Sequence, residues 1–220
     1  MSIFFDSSTL ISMAMTCSLP VLRELKKSYK DNFYITDSVR QETIGRAMQS
    51  LRFRYEGHRI NELVDTGVLK IYPENRLQQD IQKLLNLINS TYSISGKPLK
   101  IVQLGEISAL TACLKEKAEL IALDERTTRL VIENPEILKS LLENKLHSKV
   151  DVDEQNMETW ESFVADKTTP MRSTEFAAIA WEKGILGDNK DVLYGLLWAL
   201  KFAGCAVTEE EINIYTKRLA

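Results

Sequence analysis

Four acidic residues stand where this sequence could do chemistry. Ile3-Phe4-Phe5 is a short apolar run that stops at Asp6, and Leu120-Ile121-Ala122-Leu123 is a second that stops at Asp124. Glu106 opens a helical stretch in which Ala109, Leu110 and Cys113 follow at three, four and seven positions, so its carboxylate falls on the apolar face of the first turn. Glu42 lies one turn into another such stretch, one turn beyond Val39. A carboxylate on an apolar face is costly unless something compensates it. Several at close range raise one another's pKa unless a cation sits among them. An all-oxygen set without His or Cys suits Mg²⁺ or Mn²⁺ rather than zinc, and such ions activate water and clamp a phosphodiester. Each acid also has a plainer reading. Asp6 and Asp124 can be N-caps where strand passes into helix, the helix dipole helps to hold Glu106, and Glu42 can be a surface residue. Spacing alone leaves both readings open.

The elements that must position these acids alternate between strand and helix. Strands are expected at residues 3–5, 33–35, 68–71 and 120–123, with helices between them. The clearest is residues 76–91, where Leu77, Ile81, Leu84, Leu85 and Ile88 recur at helical spacing. This alternation argues an α/β fold with a parallel sheet. Two strands that end in Asp would then place both carboxylates at one sheet edge, where open α/β folds build their sites. Residues 93–98 read as a loop and residues 147–152 as a last edge strand. From Met157 onward only helices are expected, over about 158–165, 173–183, 191–203 and 208–219.

Size and composition fit one medium domain with an appendage: 220 residues, 44% apolar and 27% charged. The net charge of −3 provides no global attraction to nucleic acid, so any such attraction has to be local. Cys17, Cys113 and Cys205 are odd in number, far apart and without C-x-x-C pairing. Buried free thiols are expected rather than disulfides or zinc. No apolar run approaches the roughly 20 residues of a membrane helix, and a cytoplasmic protein is expected.

Four short segments resemble those of PIN-domain nucleases: Phe4-Phe5-Asp6-Ser7-Ser8, Ser38-Val39-Arg40-Gln41-Glu42, Leu104-Gly105-Glu106-Ile107-Ser108-Ala109-Leu110, and Ala122-Leu123-Asp124-Glu125-Arg126-Thr127-Thr128-Arg129. The resemblance covers about residues 1–150. It implies a three-layer α/β/α sandwich with a mostly parallel central sheet over residues 1–155, on which a C-terminal all-helical extension, residues 156–220, would pack. It implies a Mg²⁺- or Mn²⁺-dependent ribonuclease in which Asp6, Glu42, Glu106 and Asp124 bind the metal. Ser8 would stand beside the first acid, and Thr127 or Thr128 would steady the metal-site water or a phosphate. The sequence departs from the pattern in having Glu106 where many members have Asp, and Ser108 where relatives with a Gly-Glu start carry a second Glu. The chain is also longer than the compact toxin-type members.

Arg40, Arg46, Arg52, Arg54 and Arg59 fall within twenty residues, with Phe53, Tyr55 and His58 among them. Arginines among aromatics suit single-stranded RNA, through phosphate contacts and base stacking. The alternative is a solvated helix face. In the tail, Phe176, Ala177, Ala180 and Trp181, then Leu193, Leu196, Leu197 and Leu200, make two apolar helix faces that either cap the sheet or form a homodimer. An inhibitory protein partner of the antitoxin kind stays open. The main alternative to a ribonuclease is a non-catalytic PIN-like RNA-binding or scaffolding subunit. A phosphotransfer receiver domain fits less well, because Asp6-Ser7-Ser8 lacks a pair of adjacent acids.

Overall fold

A computed structural model of the chain describes residues 2–30, 32–164 and 167–218. The elements run β1 (Ile3–Phe5), α1 (Ser7–Met15), α2 (Leu19–Ser28), β2 (Phe33–Thr36), α3 (Asp37–Arg40), a π-helical turn (Gln41–Arg46), α4 (Ala47–Gln49), α5 (Arg54–Asp65) and β3 (Leu69–Tyr72). They continue with α6 (Gln78–Thr91), β4 (Tyr92–Ile94), β5 (Lys97–Pro98), α7 (Leu104–Lys115), β6 (Leu120–Ala122), α8 (Arg126–Glu133), α9 (Pro135–Leu146) and β7 (Asp151–Val152). The chain closes with α10 (Glu154–Val164), β8 (Thr169–Met171), α11 (Ser173–Glu182), α12 (Lys190–Phe202) and α13 (Glu209–Arg218). The expected helix ends at Ala165 and Leu219 lie outside the described residues.

The central sheet has five parallel strands in the order β3-β2-β1-β6-β8. All of β1 is buried, as a parallel strand covered on both faces must be. Phe5 turns one way, to Phe33 and to Phe176 of α11, and Phe4 turns the other, to Tyr34 and Tyr72. On one side α1, α2, α5 and α11 contact one another, and on the other α7 lies against β1, β2 and β6 with α6 beside it. The arrangement is consistent with a three-layer sandwich. From β1 the chain steps outward through β2 and β3, then returns to pair β6 with the other side of β1. The strand order therefore reverses between β1 and β6, and such a switch point opens a crevice at the carboxyl ends of the strands.

Several expectations need correction. The C-terminal segment is not all-helical, because β8 is the fifth strand of the central sheet and pairs with β6. It is only three residues long and carries Pro170 at its centre, which argues against a strand in sequence. A proline is tolerated there because β8 is an edge strand, with one side free of ladder bonds. β7 does not join the central sheet: it pairs antiparallel with β4, which also pairs with β5 where a loop was expected. Helix α5 has the solvated face that was one reading of the arginine-rich stretch: it buries only Gly57, Ile60 and Leu63, and Arg54 and Tyr55 are exposed. Of the three thiols Cys113 and Cys205 are buried, but Cys17 is exposed.

The apolar faces of the tail pack inward for the most part: Phe176, Ala177, Ala180, Leu193, Leu197 and Leu200 are buried, whereas Trp181 and Leu196 are half-buried. Among the described residues no helix is long and apolar enough to cross a membrane.

Candidate functional site

Asp6 continues β1 by one residue, its N–H donating to Ala122 O at 2.9 Å. Its fully buried carboxylate accepts from Ser8 N–H at 2.9 Å and from the Ser8 hydroxyl at 2.6 Å, which caps α1. Ser8 also accepts the backbone N–H of Asp124 at 3.1 Å. One hydroxyl thus links the carboxyl ends of the two strands that flank the switch point.

Glu106 sits in the first turn of α7, 8% exposed, on the core-facing side that helical spacing gave it. One of its oxygens accepts from Gln103 N–H and from the Thr128 hydroxyl, each at 2.8 Å. The first bond closes the helix start in the manner of a capping box. Thr128 therefore touches an acid of the site. Thr127 instead lines a shallow depression with Glu125 and Ile137.

Glu42 lies in the π-helical turn, half-buried, with its carboxylate over Gly105. A Cβ at position 105 would fall 2.5 Å from Glu42 Oε2, so the close approach needs glycine there. π-turns re-aim side chains, and one at Glu42 shifts this carboxylate relative to a regular helix.

Charge links Asp6 to both of the other acids. Burial raises the Asp6 carboxyl, opposed by its hydrogen bonds from Ser8 and Ser7 and reinforced by the charge of Glu42. Burial, and behind it the charge of Asp6, pushes Glu106 up to about 8. Such mutual destabilisation of charge is what a bound cation relieves.

Asp124 is turned elsewhere. It is fully buried, and it accepts from Ser173 N–H at 2.6 Å, from the Ser173 hydroxyl at 2.7 Å and from the Thr9 hydroxyl at 3.4 Å. Its charge also helps to raise the Cys205 thiol, to about 12, after the larger effect of burial. As the side chains stand, no group of three or more His, Cys, Asp or Glu among the described residues is disposed to hold a metal ion. Asp124 is committed to Ser173, and Glu106 to Gln103 and Thr128.

No family model, curated protein or solved structure matches this chain.

The five arginines divide. Arg54 donates to Met48 O at 3.0 Å, Arg59 donates to Ala14 O at 3.2 Å and lies over the Tyr55 ring, and Arg52 lies over Phe53. Arg40 is exposed at the end of α3. Arg46 lines a groove together with Glu42.

Two residues at the same sheet edge escaped sequence reasoning. Glu74, two residues past β3, accepts from Ser38 N–H at 2.7 Å and from the hydroxyls of Ser38 and Ser108. The signal was Ile71-Tyr72-Pro73-Glu74, an apolar strand running into an acid. Arg172 directly follows β8 and is 7% exposed. It pairs with Glu175 at 2.7 Å and with Glu211 of α13 at 2.9 Å. Without β8, nothing in the sequence marked it.

Proposed function

We propose that the chain is a metal-dependent endoribonuclease of the PIN kind, cutting single-stranded RNA at Asp6, Glu42 and Glu106 with Asp124 as the fourth acid. The observation that carries this reading is the buried Asp6 carboxyl at the switch point between β1 and β6, raised by burial and by the charge of Glu42, together with the Glu106 carboxyl, raised by burial and by the charge of Asp6. Their donors are all oxygen, which fits Mg²⁺ or Mn²⁺. When bound, such an ion supplies a more acidic water and a counter-charge for the phosphodiester.

The chain's own residues do the rest. Ser8 fixes the Asp6 carboxylate by two hydrogen bonds, and Thr128 fixes Glu106. Gly105 leaves room for Glu42 at the start of α7, where the helix dipole favours negative charge. Asp124 would be the fourth acid to hold such an ion, in place of its bonds from Ser173. Arg46, next to Glu42, is placed to meet a phosphate, and Arg40 stands free of bonded partners among the described residues.

A second reading has its own support. Asp6 caps α1, Asp124 holds the start of α11 and Glu106 closes the start of α7, so every buried acid already has a structural task. A non-catalytic RNA-binding or scaffolding subunit would need no more. The two readings separate on metal-dependent cutting of RNA, which only the first requires. A homodimer belongs to the proposal as well. With Leu193, Leu197 and Leu200 of α12 buried, its exposed Tyr194 and Phe202, with the half-buried Trp198 between them, are the surface for a second copy.

A further inference from the structure

An open cleft of about 670 Å³ lies between α8 and α9. It adjoins the acids. Glu125 on its wall accepts from Thr128 N–H at 2.6 Å, and the Thr128 hydroxyl donates to Glu106 at 2.8 Å. The charge of Glu125 also reaches Glu106. Two cations, Arg126 and Lys145, line the cleft. Both are exposed, and neither has a hydrogen-bond or ion-pair partner among the described residues. Glu125, the one acid on its wall, is committed to the first turn of α8. The groove that Glu42 lines is charged the other way, with Glu42 and Glu56 against Arg46.

We infer that this cleft seats the RNA strand beside the acids, with Arg126 and Lys145 holding its phosphates. This rests on the nuclease reading for its purpose, though binding itself needs no cutting. With a net charge of −3 the chain attracts nucleic acid only where cations gather. The arginine-rich stretch gives up part of that capacity, because Arg54 and Arg59 donate to backbone carbonyls. A guanidinium and an ammonium that nothing in the fold neutralises are free to replace the counterions of a polyanion. Ile137 and Lys145 lie about two turns, or about 12 Å, apart on α9, so the cleft follows a length of backbone and not a single phosphate. Thr127, Ser140 and Asn144 also line it. Each can donate and accept, which suits phosphate oxygens and ribose hydroxyls alike. Among the described residues no aromatic ring lines the cleft. It therefore has no stacking platform for a base, and its hold is on the backbone, without sequence preference.

The test is binding in EDTA, where metal-dependent cutting does not intervene. Labelled oligouridylate and oligoadenylate are titrated with the full chain, Arg126→Gln, Lys145→Gln, the double variant and Lys30→Gln, and anisotropy is read across a series of salt concentrations. Lys30 is exposed and stands before β2, at the opposite edge of the sheet, so its variant removes the same charge away from the cleft. One phosphate contact on a single strand contributes about 0.7 to the slope of log affinity against log salt, which is about fivefold in affinity at about 0.1 M. Each cleft variant should lower the slope and the affinity by about these amounts, and the double variant should weaken binding roughly twentyfold. Lys30→Gln should change binding by less than about twofold, and the two RNAs should bind within about threefold of each other. All the substitutions are at exposed positions, and melting temperatures should stay at the wild-type value. No RNA binding, unchanged slopes in both cleft variants, an equal loss in Lys30→Gln, a strong preference for one RNA, or tighter binding of an oligoglutamate peptide than of either RNA overturns the assignment. RNA cleavage with Mn²⁺, measured separately, keeps the two claims apart. Cutting by the wild-type chain with RNA binding unaffected in the cleft variants removes the cleft and leaves the nuclease. Loss of slope in those variants without any cutting leaves the cleft on a non-catalytic RNA-binding protein.

Discussion

Asp124 holds Ser173 twice, through its backbone N–H at 2.6 Å and its hydroxyl at 2.7 Å. This joins the end of β6 to the start of α11 and occupies a carboxylate of the switch-point edge. Asparagine at position 124 keeps both contacts, with its oxygen accepting from the N–H and its amide donating to the hydroxyl. Asp124→Asn should therefore cost no more than about 1–2 kcal/mol in urea unfolding and still abolish RNA cleavage. Ser173→Ala removes one charge-assisted bond and should cost roughly 2 kcal/mol. Wild-type cleavage by Asp124→Asn would show that this acid is structural only.

Gly105→Ala separates the site from the fold. The new methyl falls 2.5 Å from Glu42 Oε2, the far end of a side chain that can swing aside. Helix propensity favours alanine by up to about 1 kcal/mol, so the melting temperature should hold or rise slightly. Mn²⁺ affinity, measured by titration calorimetry, should fall, because Glu42 is displaced. Unchanged Mn²⁺ binding in a well-folded Gly105→Ala chain would remove Glu42 from the ligand set.

The raised carboxyls make the metal-free protein sensitive to pH. Glu106 has an ordinary value near 4.5 and is pushed up to about 8 in the fold, so the folded state binds its proton more tightly than the unfolded state does. The stability this contributes is fully present below about 4.5 and is lost as pH rises towards about 8. Asp6, raised for the same reason, acts in the same direction. In EDTA, thermal stability should decline as pH rises across this window, and Glu106→Gln should flatten the decline. Saturating Mn²⁺ should restore stability at the alkaline end by mass action. A wild-type profile no steeper than that of Glu106→Gln contradicts the assignment.

Arg172 anchors the tail through Glu175 and Glu211, and the Tyr215 hydroxyl donates to Glu175. Arg172→Ala strands these carboxylates beside a buried gap and should cost roughly 3 kcal/mol. Amide exchange over α13 should quicken before that of the central strands, and equal acceleration everywhere would argue against a local anchor.

The sequence was legible where a single short segment carried the signal. Phe4-Phe5-Asp6 announces a buried strand ending in an acid, and the helical spacing after Glu106 places that carboxylate inward. What it hid depends on contacts between distant segments. β8 is a strand by virtue of β6 beside it, so Arg172 and the Ser173 that holds Asp124 could not be foreseen. The bonds from Ser173 that hold the Asp124 carboxylate are likewise absent from the local sequence. Glu42 reaches Gly105 from a π-turn, and an ideal helical wheel does not contain that turn.

The most direct test of the central claim is cleavage of a labelled single-stranded RNA by the full chain with Mg²⁺, Mn²⁺ or EDTA, with Asp6→Asn alongside. Asparagine can still accept the Ser8 bonds, so the variant should fold and its only loss should be charge. The account predicts cutting with either metal, none in EDTA and none by Asp6→Asn. Absence of cutting by the wild-type chain with both metals, or cutting by Asp6→Asn at the wild-type rate, would contradict it.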